Sequence, residues 1–329
     1  MNTFADIYGH DKIKEHLQNG IRMNKVSHAY IFNGGLGSGK KMMANAFAAA
    51  LECEKQTGEP CMECHSCIQA ESGNNPDIIW INHEKSGSIG VDDIRAQLIG
   101  DMQIKPYSNR YKIYIVDEAE KLTVQAQNAL LKTIEEPPEY GIIILLTTNA
   151  DIFLQTILSR CVRLDFKPVG DECVTKYLKD NYDLTDYEIK FAVGFAQGNI
   201  GRAVAIATSS DFAKLKESVL RVVKHAKEYS VTEIMNEVKA VTDYKASIDD
   251  YLDMLSMWYR DVLVFKSTND TNGLIFKDEI GLIKTIGSQC SYEGLENILT
   301  AIDKVKIRLK ANVNFDLVIE LLIMTIKEA

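Results

Sequence analysis

The chain has 329 residues, 46% hydrophobic and 25% charged, with a formal net charge of −9. That length exceeds one ordinary core and points to two or three domains of a globular protein. No apolar run is long enough to span a bilayer, the N-terminal residues lack a signal peptide's basic start and apolar stretch, and the acidic balance argues against a surface that binds DNA unaided. The expectation is a cytoplasmic protein without a membrane partner, its seven cysteines kept reduced.

His28-Ala29-Tyr30-Ile31-Phe32 is a short apolar run ending in glycines, which reads as a buried strand entering a loop. Gly34-Gly35-Leu36-Gly37-Ser38-Gly39-Lys40 fits the phosphate-loop pattern G-x-x-x-x-G-K, and residues 41–51, rich in Ala and Met, read as the helix after it. Gly34, Gly37 and Gly39 let backbone N–H groups converge on phosphate, and Lys40 supplies a cation. The next position needs Ser or Thr, whose hydroxyl binds Mg²⁺. This chain has Lys41, and an ammonium repels a metal ion. The expectation is a P-loop fold with a damaged metal site, which leaves ATP binding in question.

Directly behind that helix come Cys53, Cys61, Cys64 and Cys67. Four thiolates around Zn²⁺ make a closed structural site. The alternatives are His65 in place of one thiolate, an iron–sulfur cluster, or reduced cysteines packed in a turn. The flanks (Glu52, Glu54, Glu59, Glu63, Glu71) are acidic, so the site reads as scaffold rather than DNA contact. Cys161, Cys173 and Cys290 are dispersed and read as ordinary thiols.

Residues 78–81 are a second predicted strand, and 91–98 a helix with Asp92 and Asp93 at its positive end. Residues 111–116 form a third strand ending in Asp117-Glu118. Opposite a phosphate loop, Asp117 would hold Mg²⁺ and Glu118 would polarise water; the plainer alternative is a pair of solvated strand-end acids. Thr123 caps a helix running to Glu136, which Pro137-Pro138 stops. Residues 142–146 are a fourth, nearly all-apolar strand. Continuous apolar strands between helices predict a parallel sheet covered on both faces. From Pro168 the pattern is helical: 171–181, 185–197, a break at Gly198–Gly201, a helix opened by Arg202, then 212–229, 231–241, 246–264, 274–286, 292–309 and 315–327. The predicted class is an α/β P-loop domain over 1–166, with the cysteine module inserted at 53–67. A small helical lid domain at 167–208 and an all-α C-terminal domain at 209–329 follow.

The order of motifs is specific: His28-Ala29-Tyr30, the phosphate loop, the cysteines, then Asn128 through Pro138, then Thr147-Thr148-Asn149, and finally Thr156-Ile157-Leu158-Ser159-Arg160-Cys161. It resembles the bacterial clamp-loader branch of the AAA+ proteins. Within that branch it is more similar to the delta-prime type than to the gamma/tau motor type. The departures from gamma/tau are Lys41, an end at residue 329 without tau's long extension, and Ile79-Trp80-Ile81-Asn82-His83-Glu84 in place of an Asp-Ala-Ala-Ser run.

The resemblance implies a subunit of the DNA polymerase III holoenzyme that helps load the sliding clamp onto primed DNA. It implies gamma/tau and delta subunits, the sliding clamp and, through the complex, primer-template DNA as partners, with the C-terminal helices as the oligomerisation collar. It implies that the chain itself has no polymerase activity and little ATPase activity. Arg160 becomes an arginine finger acting in trans on a neighbour's ATP; the plainer reading is a helix-end arginine in a salt bridge. Thr148 and Arg202 join the chain's own degenerate nucleotide site. The competing functions are a gamma/tau-type motor ATPase and a zinc-bearing nucleic-acid module.

Overall fold

The computed structural model describes residues 3–82, 87–107, 109–271 and 273–329, so His83 and Glu84 lie outside the described residues. The chain divides into two compact units, Met1–Tyr177 with Gly198–Arg202, and Leu178–Gln197 with Ala203–Ala329.

The first unit is built on a five-stranded parallel sheet in the order β2-β3-β4-β1-β5, with β1 Ala29–Gly34, β2 Ile78–Ile81, β3 Lys112–Val116, β4 Gly141–Thr147 and β5 Val162–Phe166. Successive side chains of a strand point to opposite faces. Here both faces are covered: Tyr30, Phe32, Ile113, Ile115, Ile142 and Ile144 enter one core, while Ile31, Tyr114, Val116, Ile143 and Leu145 enter the other. That double burial is why these strands read as unbroken apolar runs. Around the sheet lie α1 (Asp11–Arg22), α2 (Lys40–Glu52), α3 (His65–Glu71), α4 (Val91–Ile94), α5 (Val124–Glu135) and α6 (Gln155–Leu158). Helix α2 has no solvent face over most of its length, since Met43, Ala44 and Ala46–Leu51 are all fully buried, which explains its small residues. The expected helix at 91–98 is helical throughout but changes pitch: after α4, Gly100 N–H donates to Arg95 O at 2.9 Å, closing a π turn.

α7 (Asp171–Asn181) runs from the first unit into the second, and α8 (Asp186–Ala196) and α9 (Ile200–Thr208) follow. The second unit is otherwise α10 (Ser210–His225), α11 (Val231–Thr242), α12 (Ile248–Thr268), α13 (Ile280–Gln289), α14 (Tyr292–Lys310) and α15 (Phe315–Glu328). Its core is aromatic, with Trp258, Tyr259, Phe195 and Phe276 almost wholly buried. Two boundaries differ from the sequence reading. α9 begins at Ile200, so Arg202 lies inside its first turn. The segment at 274–279 precedes α13 rather than opening it: the buried Asp261 carboxylate accepts the N–H groups of Ile275 and Phe276 at 2.7 and 2.8 Å and holds the backbone out of the helix. No helix among the described residues is long and apolar enough to cross a membrane.

Burial pushes the Asp261 carboxyl up, and the two N–H donors oppose that push. Asp261→Ala strands both donors in the interior, so the variant should lose about 1–3 kcal/mol of stability. Chemical denaturation followed by circular dichroism measures this; a wild-type midpoint would show that the pocket rehydrates freely.

Candidate functional site

The carboxyl ends of β1, β3 and β4 carry the site. β1 delivers the glycine loop, whose left-handed residues Gly37 (φ +79°) and Gly39 (φ +90°) turn the chain into α2. Lys40 is buried, and its ammonium donates to the loop's own carbonyls, Gly34 O and, at 2.8 Å, Gly35 O. Burial lowers the Lys40 pKa, while the facing Glu120 and Asp117 carboxylates raise it. The lysine thus binds the loop that precedes it.

Lys41 points to β3. Its Nζ lies 2.5 Å from Asp117 Oδ2, so an ammonium of the chain sits on the carboxylate that a phosphate-loop protein offers to Mg²⁺. Glu118, in the left-handed region at φ +47°, turns to Lys121 at 2.8 Å. Thr148, just past β4, donates its hydroxyl to Glu120 Oε1 at 2.8 Å and its N–H to Glu120 Oε2 at 3.3 Å. Arg160 stands apart from this group; its Nη2 is 3.0 Å from Glu135 Oε1 at the end of α5. Arg202 comes near the loop through its backbone, its N–H donating to Asn199 Oδ1 at 2.9 Å.

Sequence reasoning missed several contributors. Asn199 Nδ2 donates to Leu36 O at 2.7 Å, and Gly201 N–H to Gly37 O at 3.0 Å, so the start of α9 is laced to the loop. His10 Nε2 lies 3.1 Å from Ser38 O, and burial lowers its pKa. Asn33 joins strand ends, donating to Asp165 Oδ1 and accepting from Ala150 N–H. Glu120 had a faint signal, two residues beyond the predicted acidic pair.

The Cys53, Cys61, Cys64 and Cys67 sulfurs lie within 4.8 Å of one another, and none is in a disulfide. A tetrahedral ion at 2.3 Å from each sulfur needs S···S separations of about 3.8 Å. Cys61 and Cys67 are already 4.0 Å apart. Cys61 N–H points to Cys53 Sγ and Cys64 N–H to Cys61 Sγ, each at 3.4 Å. Backbone N–H groups of Glu63 and Cys64 bring the Cys61 thiol down to about 6, whereas burial raises Cys53 and Cys67. Donors aimed at sulfur stabilise thiolate charge, so the set fits a metal ion. Beside it, the Glu52 carboxyl is buried and raised to about 8.

A glycine loop between β1 and α2, an acidic end on β3 and this strand order define a P-loop protein of the AAA+ class. Residues 9–170 match the family described as "DNA polymerase III, delta subunit", and residues 210–328 match "DNA polymerase III, delta subunit, C terminal". The chain belongs to this family of DNA polymerase III clamp-loader subunits. It is similar to DNA polymerase III subunit delta' of Bacillus subtilis, 28% identical over 321 residues that cover 96% of each chain. It is also similar to subunit tau of the same organism, 30% identical over 320 residues, covering 89% of this chain and 56% of tau. The chain thus spans little more than half the length of that relative. A gamma subunit-related protein of Thermotoga maritima superposes with a TM-score of 0.44 at 19% identity, covering 95% of this chain and 98% of its own.

A Cβ added at Gly201 would lie 2.6 Å from Gly37 Cα and 2.7 Å from Gly37 O, both backbone atoms. Gly201→Ala should therefore push the Gly198–Arg202 segment off the loop at a cost of about 1–3 kcal/mol. Hydrogen exchange should show faster exchange of the loop amides at residues 37–40 than in the wild type. Unchanged protection and an unchanged melting temperature would mean that the contact contributes nothing.

Proposed function

We propose that this chain is a delta-prime-type clamp-loader subunit. On this reading it assembles with gamma/tau and delta subunits and, through the complex, serves loading of the sliding clamp onto primer-template DNA. It does so without appreciable ATPase activity of its own. The observation that carries this reading is the Lys41–Asp117 ion pair. Hydrolysis of a nucleoside triphosphate needs a divalent ion between the phosphates and an acidic residue. Here an ammonium takes that carboxylate, Glu120 takes Thr148, and Lys121 takes Glu118, so each group of the chain's own site is matched internally.

What the chain supplies instead is Arg160, 41% exposed and outside its own loop cluster. A guanidinium stays charged at every physiological pH and fits the equatorial oxygens of a transferring phosphoryl group. We assign Arg160 as the finger directed at the ATP of a neighbouring subunit. The lid at 167–208 and the helical collar at 209–329 are the divisions that suit this role.

The purified chain should hydrolyse ATP at background rate with Mg²⁺ present. Lys41→Thr frees Asp117 and supplies the missing hydroxyl, so Mg²⁺-dependent nucleotide binding should appear in calorimetry. Robust turnover by the unaltered chain would favour the second reading, a gamma/tau-type motor, which the tau similarity keeps in view.

We assign the ion held by Cys53, Cys61, Cys64 and Cys67 as Zn²⁺. A sulfur-only tetrahedral set with no open position makes it structural rather than catalytic. Protein prepared under reducing conditions should carry about one zinc per chain. A chelator should expose residues 53–67 to proteolysis before the sheet unfolds, because the cluster closes a surface excursion. Elemental analysis that finds no zinc, or finds iron, would overturn the assignment.

A further inference from the structure

Arg160 is held by its own chain in a particular way. It follows α6, and its Nη1 donates back to Thr156 O at 3.0 Å and to Ser159 Oγ at 3.2 Å. Its Nη2 meets Glu135 Oε1 at 3.0 Å. Glu135 is the last residue of α5, immediately before Glu136-Pro137-Pro138. A guanidinium is planar with five N–H groups. Both hydrogen bonds come from Nη1, and Nη2 is engaged as an ion pair. Nε–H has no partner among the described residues. The Nε side of a guanidinium is one edge of its fork, the shape that grips two oxygens of a phosphate or carboxylate.

The frame under this arrangement is tied together by buried contacts. Gln127, 2% exposed on α5, donates to Leu122 O at 3.2 Å and accepts Leu154 N–H at 3.0 Å, tying α5 to the residue that opens α6. Ile157 of α6 and Leu130 and Ile134 of α5 are buried in one core. Glu135 and Arg160 are 44% and 41% exposed, so their pair adds little to stability. Its effect is on direction: a long flexible side chain is reduced to one presented edge.

We propose that Glu135 is the positioning residue of Arg160, anchoring one edge of the guanidinium so that the other is presented to the phosphates of a nucleotide bound by the adjoining subunit. This rests on the assignment of Arg160 as a finger. Fixing a catalytic group in place before the reaction lowers the entropy lost in reaching the transition state. On this proposal the carboxylate acts through Arg160, its ion-pair partner.

The test uses a reconstituted clamp-loader complex in which only this interface retains an arginine finger, with incorporation of each variant confirmed. Arg160→Ala should lower the ATPase rate by about 10³ or more. Glu135→Ala should lower kcat on the order of ten-fold with KM unchanged. Glu135→Gln, which keeps an acceptor oxygen, should recover part of that loss. The double variant Glu135→Ala/Arg160→Ala should be no slower than Arg160→Ala, and melting temperatures should match the wild type throughout. Wild-type turnover by Glu135→Ala beside an inactive Arg160→Ala would overturn the positioning role and leave the finger standing. Additive losses in the double variant would likewise overturn it. Wild-type turnover by Arg160→Ala would remove the finger assignment and this inference together.

Discussion

A parallel sheet buried on both faces leaves its strand ends as the place for chemistry, and the first unit follows from that constraint. Because Ile31, Ile115 and Ile144 and their alternating neighbours are all needed for packing, polar groups collect where the strands stop. β1 lies between β4 and β5, so the loop leaving it is flanked by the groups that follow β4 and by Asp165 at the end of β5. The acidic end of β3 sits beyond β4, within reach of the first turn of α2. The site is placed by packing, and what it can do is then decided by a few side chains.

Those side chains are paired with one another. Lys40 rests on loop carbonyls, Lys41 on Asp117, Lys121 on Glu118, and Thr148 on Glu120. An unpaired charge or a stranded hydroxyl at a half-buried site is costly, so losing a ligand from such a pocket favours replacements that supply its charges from within. Lys41 supplies such a charge to Asp117. It has the charge and the reach, but not the two free coordination directions, that a bridging magnesium ion has between a phosphate and a carboxylate.

Much of this was legible in the sequence because periodicity reports burial directly. The strands at β1, β3 and β4 were readable as continuous apolar runs, and the Thr123 cap as a side-chain oxygen before a helical pattern; it accepts Ala126 N–H at 3.2 Å. β5 was not, since Val162-Arg163-Leu164-Asp165-Phe166 alternates at the sheet edge and is short and charged. α1 was also missed: its buried Ile13, Leu17 and Ile21 are spaced four apart among polar residues, a stripe one residue wide. In the site, motif spacing located Gly34, Gly37, Gly39, Lys40, Asp117 and the cysteines. It could not show where Lys41 or Arg160 points. Those directions depend on contacts between residues distant in sequence, such as Lys41 with Asp117 and Arg160 with Glu135. Asn199 and Gly201 were read as a helix break, and their hold on Leu36 and Gly37 is visible only once the chain is folded.

The loop's internal pairing also bears on how this chain behaves over time. A ligand shifts a conformational equilibrium only by the difference in its affinity for the two states. When the cation, the carboxylate and the hydroxyl of a pocket are already matched, an incoming nucleotide must displace those contacts, and that difference shrinks. On the proposed function, the shape of the first unit is settled at folding rather than renewed with each nucleotide. In the assembly proposed above, such a chain would hold its shape while subunits that bind and release nucleotide change theirs.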